Sequence, residues 1–155
     1  MFVGRQEEQA ALADVVQQAR DGRSGVLCVH GPAGVGKTAL LAQATVPDAT
    51  VLRARGVESE THLAFAALAE LRRRRRDRRA GRPEAQARAI GSALALEDAA
   101  PAAPFAVAAG VLGLLAAAAE DRGPVVVVVD DLQWVDEASR AVVLFAARRL
   151  DADPV

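Results

Sequence analysis

Between residues 6 and 20 the apolar side chains Leu12, Val15, Val16 and Ala19 fall on one helical face, and Asp21-Gly22 ends the run. "GVLCVH" (25–30) is an apolar run of strand length, and "TALLAQA" (38–44) resumes helical spacing until Pro47 stops it. "ATVLRARG" (49–56) predicts a second strand, closed by Gly56. Residues 61–79 predict a helix that is apolar at first (Leu63, Phe65, Leu68, Leu71) and then carries arginine on every side. "AGRP" (80–83) breaks it, a weaker helix follows over 84–95, and "EDAAPAAP" (97–104) has the composition of a linker. Residues 105–119 predict an apolar helix with Phe105, Ala108, Val111, Leu112 and Leu115 on its more buried side. After the Gly123-Pro124 turn, "VVVVV" (125–129) shows no polar alternation, the pattern of a strand buried on both faces of a parallel sheet. A last helix spans 137–150 through Ala138, Val142, Phe145 and Leu150. Strands alternating with helices in this order predict an α/β fold.

Composition changes this picture little. The 155 residues are 52% hydrophobic and 25% charged, which suits one globular domain over 1–155. Only four Phe and one Trp are present, so packing must come from Val, Leu and Ala. The net charge of −1 argues against a chain that binds nucleic acid through its overall field. Residues 72–82, "RRRRRDRRAGR", hold eight arginines and one aspartate, a local +7 that leaves −8 on the remainder. The single cysteine, Cys28, excludes an internal disulfide and suits a reducing compartment. No run is long enough to span a membrane, and the N-terminus has no basic leader or apolar signal core, so the expected location is the cytoplasm.

Charge also isolates the most informative residue. Every basic side chain is arginine except Lys37, which sits in "GPAGVGKT" (31–38). The octet fits G-x-x-x-x-G-K-[ST] through Gly31, Gly36, Lys37 and Thr38. Glycines let the backbone curl so that successive N–H groups face phosphate oxygens, and the following helix adds its positive end. Lysine brings a compact charge on a flexible stem to the β- and γ-phosphates, where arginine's planar fork fits poorly. The Thr38 hydroxyl suits Mg²⁺, a cation that takes oxygen ligands. Gly31, Pro32, Ala33, Gly34, Val35, Gly36, Lys37, Thr38 and Ala39 are therefore the expected nucleotide-binding residues, preceded by an apolar strand and followed by a helix.

A phosphate loop needs an acid for its metal. "VVVVVDD" (125–131) would deliver Asp130 to the carboxyl edge of the sheet, where open α/β sheets bind ligands. Asp130 is expected to hold Mg²⁺, through a water, and Asp131 stands where many ATPases place the acid that orients the attacking water. Asp136 is read as the cap of the helix beginning at Glu137, and Trp134 as a packing residue beneath the loop. Cys28 and His30 are read as core residues of the first strand. His62 has no partner pattern that would make it a ligand or base.

With these residues in hand, the chain resembles a known group. "FVGR" (2–5), "GPAGVGKT", "VLRARG", "LAFAAL" (63–68) and "VVVVVDDLQWVDEAS" together are similar to the signal-transduction ATPases with numerous domains. More narrowly, they resemble the N-terminal AAA-type ATPase module of large LuxR-type bacterial transcriptional regulators. The resemblance implies a P-loop NTPase fold, a parallel sheet flanked by helices. It implies that Phe2, Val3, Gly4 and Arg5 line the adenine and ribose pocket, that ATP with Mg²⁺ is the ligand, and that hydrolysis, if any, is slow. It implies as partners a sensor and a C-terminal helix-turn-helix on a longer chain, with no DNA contact from this segment. Arg72–Arg76, Arg78 and Arg79 depart from the leucines usual after the Phe-Ala-Ala-Leu helix. The implied strand order is 5-1-4-3-2, and the sequence stops at Val155 before the fourth core strand. The expectation is thus a fragment, with a gap between strands one and three or some other pairing that closes it. A second reading is a free-standing nucleic-acid-dependent ATPase of origin-recognition type, with the arginine run on DNA.

Overall fold

The computed structural model describes residues 5–44, 49–73 and 104–149. The 84–95 helix, the 97–104 linker up to residue 103, and the arginine run beyond Arg73 lie outside the described residues, as do Phe2, Val3 and Gly4. Helix α1 runs Gln6–Arg20, α2 Lys37–Leu41, strand β1 Thr50–Arg55, α3 Ala66–Arg73, α4 Pro104–Arg122, β2 Val125–Asp130 and α5 Glu137–Ala147. Short 3₁₀ turns stand at Glu58–Glu60 and Leu132–Trp134. No helix among the described residues is long and apolar enough to cross a membrane.

β1 and β2 pair in parallel, Thr50 opposite Val125 through to Arg55 opposite Asp130. A parallel pair requires a long crossover, and α3 and α4 lie on that connection. Because side chains alternate along a strand, Leu52 and Ala54 go to one face of β1 and Arg53 and Arg55 to the other. Leu52 packs with Ala118, Ala119 and Val125, while Ala54 packs with Ala67 and Val135. Leu68, Val107, Ala108 and Val142 form a third cluster joining α3, α4 and α5, and Leu71 touches all three. The arginines that follow Leu71 therefore do not prevent α3 from docking.

Several expectations need correction. Residues 25–30 form no strand: the segment pairs with nothing in the described sheet, which has two strands. β2 is bonded to β1 on one edge, and its other edge has no strand partner among the described residues. An apolar cavity of about 410 Å³ is lined by Val26–Val29 and by Val125–Val129, among others. A strand is only as stable as its neighbouring ladder, so an apolar run without one stays irregular. Cys28 and His30 are consequently exposed rather than core residues. Val125 and Val128 are buried, but Val126, Val127 and Val129 are only half-buried, because β2 lacks cover on the cavity side. The helix expected over 61–79 begins only at Ala66, after a turn in which Phe65 takes a positive φ of 64°. Phe105 is 68% exposed, packed edge-on against Phe145 rather than buried.

Candidate functional site: a glycine loop facing two aspartates

The loop follows from its glycines. Gly34 and Gly36 adopt φ values of 76° and 88°, which place both in the left-handed region that L side chains avoid. Gly36 turns the chain into α2, and Leu40, 1% exposed, anchors that helix. Gly31, Pro32, Ala33, Gly34 and Val35 are all exposed, Lys37 and Ala39 half-buried, and Thr38 exposed on the first turn. The Lys37 ammonium donates to the carbonyls of Gly31 and Pro32, each at 2.9 Å, so it lies back across its own loop. Arg5, just before α1, donates to the Val35 carbonyl and is thereby tied to the octet.

The acids come from the carboxyl end of β2. Asp130 closes the strand opposite Arg55, and its Oδ1 accepts the Asp131 N–H at 2.9 Å. Asp131 turns into the left-handed region (φ 50°), a conformation that Asp tolerates better than most residues. Its Oδ2 accepts from both Nε and Nη2 of Arg55 at 2.9 Å, and its Oδ1 accepts from Gln133 at 3.4 Å. Arg55 is 65% exposed, so this pair orients Asp131 and adds little stability. Lys37, Asp130, Asp131 and Gln133 all line the cavity described above; Thr38 does not. Of residues 31–38, Lys37 alone shares this cavity with the two acids.

Behind the acids lies a dense polar knot. Asp136, 3% exposed, caps α5 by accepting the Ser139 N–H at 2.8 Å, as its place before Glu137 predicts. The same carboxylate also accepts the N–H groups of Phe65 at 2.8 Å and Ala67 at 3.2 Å. Ser139 Oγ accepts the Leu68 N–H at 3.2 Å, so the start of α3 is tied twice to the start of α5. Burial alone would push the Asp136 carboxyl up. The Ser139 backbone and hydroxyl donors, with those of Ala67 and Phe65, outweigh it and hold the group below the ordinary carboxylate range. Gly56 completes the packing: a Cβ there would lie 2.3 Å from the Asp131 carbonyl oxygen and 2.6 Å from the Val135 nitrogen. Trp134 is 38% exposed and does not serve as a packing residue beneath the loop.

Three roles escape the sequence. Arg53 donates to the Leu41 carbonyl and to the Ala44 carbonyl, each at 3.1 Å, across the end of α2. Arg55 holds Asp131. Asp136 reaches back some seventy residues to Phe65 and Ala67. The arginines did leave a signal, two charges at alternate positions of an otherwise apolar strand. The long reach of Asp136 left none.

No curated protein and no solved structure matches the chain significantly. The sequence model of the AAA ATPase domain matches residues 1–155. The match spans both the glycine octet that opens into α2 and the two aspartates at the end of β2. The chain belongs to the AAA ATPase domain family.

Proposed function

We propose that this chain is the ATP-binding, switch-type module of a bacterial LuxR-type transcriptional regulator, and that it hydrolyses ATP slowly. The observation that carries the reading is the convergence of Lys37, Asp130 and Asp131 on one cavity. In this reading the N–H groups of Ala33–Thr38 and the Lys37 ammonium receive the β- and γ-phosphates, and Arg5 with the FVGR segment borders the adenine and ribose. Mg²⁺ would arrive on the phosphate oxygens of ATP, since this cation is usually bound by one or two protein ligands plus substrate phosphates. Thr38 and Asp130 would hold that ion, which supplies charge neutralisation between the phosphates. Asp131 orients the attacking water. Its short side chain and its Arg55 partner place it poorly for that task, so hydrolysis stays below about 0.1 s⁻¹.

Calorimetry with Mg-ATP on the wild type and on Lys37→Ala tests the binding assignment. Loss of a charge-assisted contact worth about 1.5–3 kcal/mol lowers affinity by about ten- to a hundredfold. Equal affinities contradict the phosphate-loop assignment. The regulator context has its own test in the coding sequence beyond the Val155 codon. A reading frame continuing into helical repeats and a helix-turn-helix agrees with it, and a chain bearing no DNA-binding element does not.

A further inference from the structure

The loop and the acids belong to different parts of the chain, and something must set the distance between them. Lys37 and Thr38 open α2, a helix of five residues and so about 7 Å long. Holding its far end therefore fixes its near end. Leu40 anchors α2 by apolar burial, which is non-directional and leaves sliding and rotation open. The Arg53 guanidinium supplies direction. Nη1 donates to the Leu41 carbonyl and Nη2 to the Ala44 carbonyl, each at 3.1 Å, so a rigid planar fork spans the last turn of α2 and the residues after it. A cation is also well matched to the carbonyl end of a helix. On β1, Arg53 stands opposite Val128, two residues before Asp130 on β2. The parallel ladder then carries the position of Arg53 to the acid.

We propose that Arg53 is a positioning residue that sets the separation between the phosphate loop and Asp130, and so determines how much Mg²⁺ strengthens nucleotide binding. The inference rests on the ATP-binding reading. Bare nucleotide engages the loop alone, whereas Mg-nucleotide engages the loop and Asp130 together, so only the second senses their spacing. Coupling of this kind is read as the ratio of ATP affinities with and without Mg²⁺.

The test measures that ratio by calorimetry for wild type, Arg53→Met and Arg53→Lys. Methionine keeps the apolar stem and removes the donors; lysine keeps the charge and can reach one carbonyl. In Arg53→Met the Mg²⁺ gain should fall by about tenfold with bare ATP affinity within about twofold, and Arg53→Lys should keep an intermediate gain. Simple loss of a positive charge predicts the opposite sign, since it would weaken the more anionic Mg-free nucleotide more. An unchanged gain in Arg53→Met, or equal losses in the Met and Lys variants, overturns the inference. So does an Arg53→Met chain that is unfolded by circular dichroism, because Arg53 would then hold the fold rather than the loop. A wild-type chain that binds neither form of ATP refutes the ATP-binding reading itself; binding with a Met variant of unchanged gain refutes only the role of Arg53.

Discussion

The part of the molecule behind the aspartates and the part that carries the phosphate loop are held by different means. β1, β2, α3 and α5 share a strand ladder, three apolar clusters and the Asp136 knot, in which one buried carboxylate accepts three backbone N–H groups. The loop segment has no ladder, and Val26 is 63% exposed on the apolar run that leads into it. Its ties include buried Leu40 and Ala44, the Arg5 contact to Val35, the Gln9–Gln43 hydrogen bond and the two Arg53 hydrogen bonds. Backbone pairing fixes the acids before any ligand arrives. Under the proposed function, the loop is left for phosphate to organise, and its N–H groups and Lys37 would gain their strongest partners from that anion.

Substitutions should separate the two parts. The largest effect is expected from Gly56→Ala, whose Cβ would meet backbone atoms 2.3–2.6 Å away that cannot yield without moving the 131–135 turn. A loss of about 3 kcal/mol in a denaturant melt is expected. A neutral result would show that the turn behind the acids is loosely packed.

Asp136→Asn comes next. The amide nitrogen places a donor against donors, and a loss of about 2–3 kcal/mol follows. This carboxyl lies below its ordinary range in the folded chain. Its contribution is therefore complete above the unfolded-state value, about 3.9, and is lost as pH falls through the lower folded value. The variant should show a correspondingly flatter loss of stability in that acid window, measured by melts across pH. An acid profile identical to wild type would contradict the assignment.

The smallest effect concerns Arg55. Its exposed pair with Asp131 is worth about 1 kcal/mol at most, so Arg55→Gln should raise ATP hydrolysis only about two- to fivefold above the slow rate proposed for the wild type. A phosphate-release assay showing a slower variant would mean that Arg55 aids Asp131 instead of restraining it.

Much of this organisation was legible in the residues. The boundaries of α1, β1 and β2, the octet with its single lysine, and the Asp130–Asp131 pair at a strand end all follow from local pattern, since periodicity and glycine placement act within a few residues. What escaped depends on neighbours distant in sequence. "GVLCVH" has strand composition, yet pairing requires a ladder that no local pattern can guarantee, and Cys28 and His30 were misplaced with it. Phe65 takes a left-handed φ where Asp136, 71 residues on, receives its N–H. Phe105 falls on the apolar stripe of α4, but lies exposed at its start beside Phe145, whose ring also carries the Arg149 guanidinium. Arg53 and Arg55 acquire meaning only when β1 lies beside β2 and α2.

Amide hydrogen exchange with and without Mg-ATP reads the ladder and the loop in one experiment. Without nucleotide, peptides covering 50–55, 125–130 and 137–147 should exchange slowly while those covering 25–41 exchange fast. Mg-ATP should slow exchange across 31–41 and change β1, β2 and α5 little. If the loop peptides are already as protected as the strands, or if Mg-ATP leaves them unchanged, then the loop is not an ATP site completed by its ligand and the account is wrong.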